Sequence, residues 1–184
     1  MSELDQVREN DIPYRMYAVH SLPAALRLLG RYNTDQIMDI VVGNQSVVIG
    51  NLNNYINPTI ESGVMHGRAL LEFLGLSESS GKLVSTKNKR SGDVSIEDFK
   101  LPKVTPEEAI CLCKSAYPNV NESIYATLIH LANKGIAHTT TSLVIQDDQS
   151  AQLTTASECI IFLVQNCFYS KLGLSKIEFR FAKL

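Results

Sequence analysis

Two histidines, one acidic residue and a short basic run are the side chains of this sequence whose types and spacing could do chemistry. His66 lies in PTIESGVMHGRALLEFLGL, from Pro58 to Leu76, and His138 in LANKGIAHTT, from Leu131 to Thr140. An imidazole titrates near neutral pH and can act as general base, proton shuttle or metal ligand. If the two meet, with Asp98 of Glu97-Asp98-Phe99 beside them, they form one shared pocket. Apart, each is a hydrogen-bonded residue at a core edge. Lys134 stands one helical turn before His138 and is the cation available to it. Lys87, Lys89 and Arg90 form the densest positive cluster of the chain, either phosphate contacts or a solvated loop tip. No His-Glu-x-x-His occurs, and neither His20 nor His130 has a second ligand at helical spacing, so neither a metal nor a cofactor is expected. A small ligand or metal between His66 and His138 is a third reading. Cys111, Cys113, Cys159 and Cys167 lack a Cys-x-x-Cys pattern and read as small core hydrophobes in a reducing compartment.

These side chains must be positioned by helices. In the stretch from Pro58 to Leu74, Ile60, Val64, Leu71 and Leu74 share one face, with Gly67 among them and Gly63 beside it. His66 flanks that face. Two residues turn a helix by ~200°, so Arg68 points the other way and pairs with Glu72 one turn on. Ahead of this helix, Ser21-Leu22-Pro23 reads as the start of a short helix ending at Gly30, and residues 11–20 also read as helical. From Thr34 or Asp35 to about Ile56, two apolar stripes at helical spacing predict a long central helix. The runs Ile40-Val41-Val42 and Val47-Val48-Ile49 would suit strands, but length and spacing favour the helix. Asn57-Pro58 ends it and starts the next.

Residues 77–103 are rich in Ser, Gly and Lys and read as a long, mobile or functional loop. Thr105 and Glu108 form a capping box for a helix to about Tyr117, and Asn121 caps another to Lys134. If that helix passes Gly135, His138 shares its inward face. Thr155 and Glu158 form a further capping box, opening a helix closed by Gly173. Only the C-terminal KIEFRFAKL alternates like a strand, and no partner for it is visible. The expected fold is all-α, a single domain over residues 1–184 built as a bundle of five or six helices.

At 184 residues, with 45% hydrophobic and 20% charged side chains, the chain matches one globular domain. Its net charge of -2 argues against a general grip on a phosphate backbone. The acidic N-terminus is the reverse of a targeting peptide, and no apolar run reaches the ~20 residues of a membrane span. A cytoplasmic protein without a membrane partner is expected.

MHGRALLEFLGL, then Glu97-Asp98-Phe99, then NKGIAHTT resembles a group of uncharacterised helical proteins, over about Ile56 to Thr140. Those proteins have a His-Ala-Arg-Asn-Leu-like helix, a later Asp-Phe and an Ile-Ala-His-Leu-Thr-like turn. The group is in turn similar to HEPN-type bundles, whose catalytic members are metal-independent endoribonucleases built on an arginine and a following histidine in a dimer interface. The resemblance implies that His138 is the HEPN histidine. The arginine would fall near Ala132 or Asn133 and is absent, and Lys134 lacks the planar fork that clamps a phosphate. The leading expectation is therefore a non-catalytic HEPN-like binding or accessory module with a protein or RNA partner, in which His66 and His138 pin the bundle. The alternative is a ribonuclease of toxin or phage-defence type, with His138 as base, Lys134 and the Lys87–Arg90 run holding phosphates, and a homodimer completing the site.

Overall fold

In the computed structural model of the chain, residues 2–33, 35–87, 89, 91–136 and 147–179 are described, with 134–136 and 147 described by backbone alone. The apolar spacing of the sequence is largely realised as helices around one core. The first is α1 (Glu3–Gln6), where the Ser2 Oγ accepts from the Asp5 N–H at 3.2 Å and the Asp5 carboxylate accepts from the Ser2 N–H at 3.1 Å. It passes through a π-helical turn, Val7–Asp11, into α2 (Ile12–Arg31). In that turn the Ile12 N–H reaches back to the Val7 carbonyl. Pro13 is next in line and has no N–H to give, which frees the Arg8 carbonyl. The Tyr169 hydroxyl donates to it at 2.9 Å.

Helix α2 is continuous where the sequence suggests a new start at Ser21. The Ser21 Oγ donates to the Tyr17 carbonyl at 3.0 Å instead of capping, and Pro23 is carried inside the helix. Val19, Leu22, Ala25 and Leu26 are buried on both sides of it, and that burial outweighs one lost backbone bond.

The expected long helix over 34–56 is not formed. Strands β1 (Ile37–Val42) and β2 (Gln45–Asn51) make an antiparallel hairpin there. Gly43, at φ +62, begins the two-residue turn Gly43-Asn44, a position where type II′ hairpins take glycine. β-branched side chains prefer the pleated strand, and a Gly-Asn pair between two such runs overrides the 3–4 spacing. Helix α3 (Asn53–Leu74) follows directly, with Pro58 in its second turn rather than at its start. It ends on Gly75, at φ +96.

The stretch expected as a loop also has structure. Strands β3 (Leu76–Ser79) and β4 (Lys82–Ser85) pair through a Ser80-Gly81 turn in which both residues have positive φ, as a type I′ hairpin requires. A 3-10 turn, Ile96–Phe99, follows. Leu76, Leu83 and Ile96 plug both pieces into the core. Their strands are too short for any alternation to be read.

Thr105 caps α4 (Pro106–Lys114), accepting from the Glu108 N–H at 3.1 Å, and Asn121 caps α5 (Glu122–His130), accepting from the Ser123 N–H at 2.9 Å. A π-helical turn, Leu131–Ile136, extends α5. Helix α6 (Asp147–Leu163) begins well before the Thr155 capping box, runs on through a π-helical turn, Val164–Tyr169, and stops at Gly173. Beyond it, residues 174–179 form no strand. Their backbone is held by a side chain: the Gln165 amide donates to the Ile177 carbonyl at 2.8 Å and accepts from the Ile177 N–H at 3.1 Å.

The architecture is thus mixed α/β, five helices of nine residues or more with two small antiparallel hairpins among the described residues, and not all-α. No helix among the described residues is long and apolar enough to cross a membrane.

Candidate functional site

The close crossing of α2 and α3 decides what His66 meets. Gly63 sits where a Cβ would come within 2.7 Å of the Leu22 Cβ and 3.3 Å of the Ala18 carbonyl oxygen. One turn further along α3, His66 therefore faces the earlier turn of antiparallel α2. The Arg15 guanidinium lies 3.1 Å from its Nδ1, and the Tyr14 ring stands edge-on, 5.1 Å between centroids. A guanidinium only donates, so Nδ1 is the acceptor and the imidazole carries its proton on Nε2. Arg68, as its helical angle requires, points elsewhere and pairs with Glu72 at 3.0 Å.

Arg15 also lines a cleft of about 760 Å³ between the N-terminal helix, α3, the β3–β4 hairpin and residues 92–97. Lys87, Lys89 and Lys103 supply its other cations, and Ser77, Ser79, Ser85, Thr86 and Ser95 its hydroxyls. Carboxylates share the rim: Glu3, Asp11, Glu72, Asp93 and Glu97. Two of the lysines are already paired, Lys103 with Glu97 at 3.2 Å and Lys89 with Asp98.

Asp98 is a structural residue of the turn it sits in. Its Oδ2 accepts from the Ser95 N–H at 2.7 Å and the Ser95 hydroxyl at 3.2 Å, as well as from Lys89. The hydrogen bond from Lys89, then those from Ser95, hold its carboxyl below the usual carboxylate value. No hydrogen bond joins it to His66, whose partners are Arg15 and Tyr14. The pocket expected for His66, Asp98 and His138 thus has no hydrogen bond between its first two members. His138 and Arg90 lie outside the described residues, as does the side chain of Lys134; the backbone of Lys134 falls in the turn that extends α5. Of the expected phosphate contacts, Lys87 and Lys89 both reach the cleft.

Arg15, which meets His66 and lines the cleft, is the residue that sequence reasoning missed. Nothing in YRMY marks it; only knowing that Gly63 packs against Ala18 and Leu22 would place it opposite His66.

Burial first, and the Arg15 charge second, push the His66 imidazole below its ordinary 6.5. His20, beside Phe179 at 4.6 Å, is shifted the same way by burial and then by Arg27. The unfolded chain thus binds more protons than the folded one once the pH falls below ~6.5. The stability these groups contribute is complete above that value and is lost as the pH drops toward their folded pKa values. The urea midpoint is expected to fall between about pH 7 and pH 5, and to fall less in His66→Gln. Equal slopes for wild type and variant would remove His66 as a cause.

The core thiols are shifted in opposite directions, the hydrogen bond with Cys159 lowering the pKa of Cys113. Cys113, Cys159 and Cys167 are buried, and burial pushes the Cys167 thiol up to about 11. Cys111, expected in the core, is exposed. Among the described residues, no group of three His, Cys, Asp or Glu side chains could hold a metal ion. No protein-family model, curated protein or solved structure matches the chain. The likeness to HEPN-type bundles rests on the quoted residues alone.

Proposed function

We propose that this chain is a non-catalytic binding or accessory module of HEPN-like type, which holds a protein partner along the cleft lined by Arg15 and Lys87. The missing arginine before His138 carries the non-catalytic part, and at His66 the single lone pair of the ring is taken by Arg15. An imidazole that accepts from a guanidinium and carries its proton on the other nitrogen has no base to offer until that contact breaks. The mixed rim carries the choice of partner. Five carboxylates among four cations make a poor track for a phosphate backbone, which rewards uninterrupted positive charge. They suit a polypeptide segment bearing charges of both signs.

The test is incubation of purified protein with a mixed single-stranded RNA pool, alongside His138→Ala and His66→Ala. The expected result is intact RNA in all three samples. Cleavage by the wild type that disappears in His138→Ala would overturn this reading in favour of the ribonuclease using His138 and Lys134.

A further inference from the structure

The β1–β2 hairpin departs from the way folded proteins treat exposed strands. Ile37, Val41, Val42, Val47, Val48 and Ile49 are between 49% and 79% exposed. The pairing register puts them on both faces. Met38, Ile40, Val42 and Val48 share one, whose base packs toward Leu28 and Tyr32; Ile37, Val41 and Ile49 share the other. At roughly 100 Å² of apolar surface for each Val or Ile, the six exposed side chains present on the order of 400 Å². The largest patch on a typical monomer spans a few hundred Å², and each partner in a standard interface contributes about 800 Å². Divided between the two faces, the side chains supply less than half an interface, and the backbone ladder of the strand edge adds to it.

Both strand edges are open, since β1 and β2 pair only with each other among the described residues. Strand edges are normally blunted by lysine, proline or a bulge. Here β2 has the bulge: Val47 falls between the pairs Ile40–Val48 and Val41–Ser46 and opposes no residue of its own. β1 has neither a bulge nor a proline nor a basic residue along its six positions. Its one charge, Asp39, already accepts from the Ser46 hydroxyl at 2.7 Å.

We propose that the β1 edge pairs antiparallel with the β1 edge of a second copy of this chain, giving a four-stranded sheet in the order β2-β1-β1-β2 across a twofold axis. An antiparallel edge is its own complement under such an axis, so one surface serves both partners. Apart from Asp39, whose carboxylate Ser46 holds, the β1 side chains carry no charge, and the side chains of both copies flank a continuous backbone ladder. A two-stranded hairpin is marginal in water, and four strands make a sheet that is stable in its own right. A bilayer is the poorer occupant: residues 37–51 contain no Trp, Tyr, Phe, Lys or Arg, the side chains that anchor a segment at a lipid interface.

Sedimentation velocity from low to high micromolar concentration tests the proposal on the full chain. The wild type is expected to move toward twice the 20.4 kDa chain mass. The double variant Ile37→Lys/Ile49→Lys alters two exposed side chains of one hairpin face and is expected to weaken the dimer more than about tenfold, with an unchanged far-ultraviolet dichroism spectrum. Hydrogen exchange of the wild type reads the edge directly and needs no variant. Protection of the 37–42 amides should rise with protein concentration. A monomer at every concentration overturns the proposal, whether or not the protein binds lipid vesicles. So does a dimer that survives the double substitution with its 37–42 amides exchanging at a concentration-independent rate.

Discussion

Phe168→Ala is expected to lower the unfolding free energy by about 4 kcal/mol, the largest effect of any single truncation in this fold. Phe168 is fully buried at the meeting point of three other rings. Phe99 lies 4.9 Å away, Phe73 5.0 Å and Tyr169 5.0 Å, each at a steep interplanar angle. Edge-to-face pairs of this kind add about 0.5–1.5 kcal/mol beyond the area they bury. The loss therefore has two parts, the transferred surface with its cavity and the broken ring contacts. Phe73 comes from α3, Phe99 from the 3-10 turn, and Phe168 from the π-helical end of α6, so the truncation loosens three segments at once. A urea titration should show the midpoint falling by about 2 M, taking a slope near 2 kcal/mol/M for a chain of this size. Phe168→Leu keeps most of the volume and should recover more than half of the loss. A fall under about 1 kcal/mol in the alanine variant would mean that the ring cluster is not the packing centre described above.

Gly63→Val is the second large effect, expected to cost about 3 kcal/mol. A Cβ at this position would approach the Leu22 Cβ to 2.7 Å, and a Cβ cannot swing aside without moving its backbone. The helices must separate, and that displacement carries Arg15 away from His66. Gly67 gives the contrast. Its new Cβ would meet the Leu128 methyls at 3.2 Å and the Ile160 Cδ1 at 3.4 Å, the far ends of side chains that can rotate. Gly67→Ala should therefore be near neutral, since about 1 kcal/mol of helix propensity offsets the crowding. Equal losses at the two glycines by thermal denaturation would show that small size, not the α2–α3 crossing, is what matters at both.

The same two glycines show how far the sequence could be read. Small residues beside an apolar stripe announce close approach, and α3 delivers it. They do not name the helix that approaches. His66 was legible as a flanking residue, and its separation from Arg68 followed from helical angles alone. The identity of its partner depended on which turn of α2 lies opposite, a tertiary fact with no local signal. The hairpin failed for another reason. Ile37 to Ile56 satisfies helical spacing because so many of its residues are apolar that more than one period fits. The information lay instead in β-branching and in Gly43-Asn44. The strands at 76–79 and 82–85 are four residues each, and their inward side chains, Leu76 and Leu83, are too few to show a period. Of the C-terminal alternation, residues 180–184 lie outside the described ones, and in the described part Gln165 satisfies the Ile177 backbone with its side-chain amide, a partner that is not a strand.

The hydrogen bond from the Tyr169 hydroxyl to the Arg8 carbonyl sets a timetable for synthesis. Its two ends are 161 residues apart in the chain, and α2 also lies against α6. A ribosome adding about 5–20 residues per second reaches Tyr169 roughly ten to thirty seconds after Arg8. Through that interval the carbonyl that Pro13 leaves free has only water to accept from, and the apolar face of α2 awaits the helix that will cover it. The nascent chain therefore spends part of that time with α2 covered by α3 but not yet by α6. The side of α2 that lies against α6 is thus the last part of that helix to be covered.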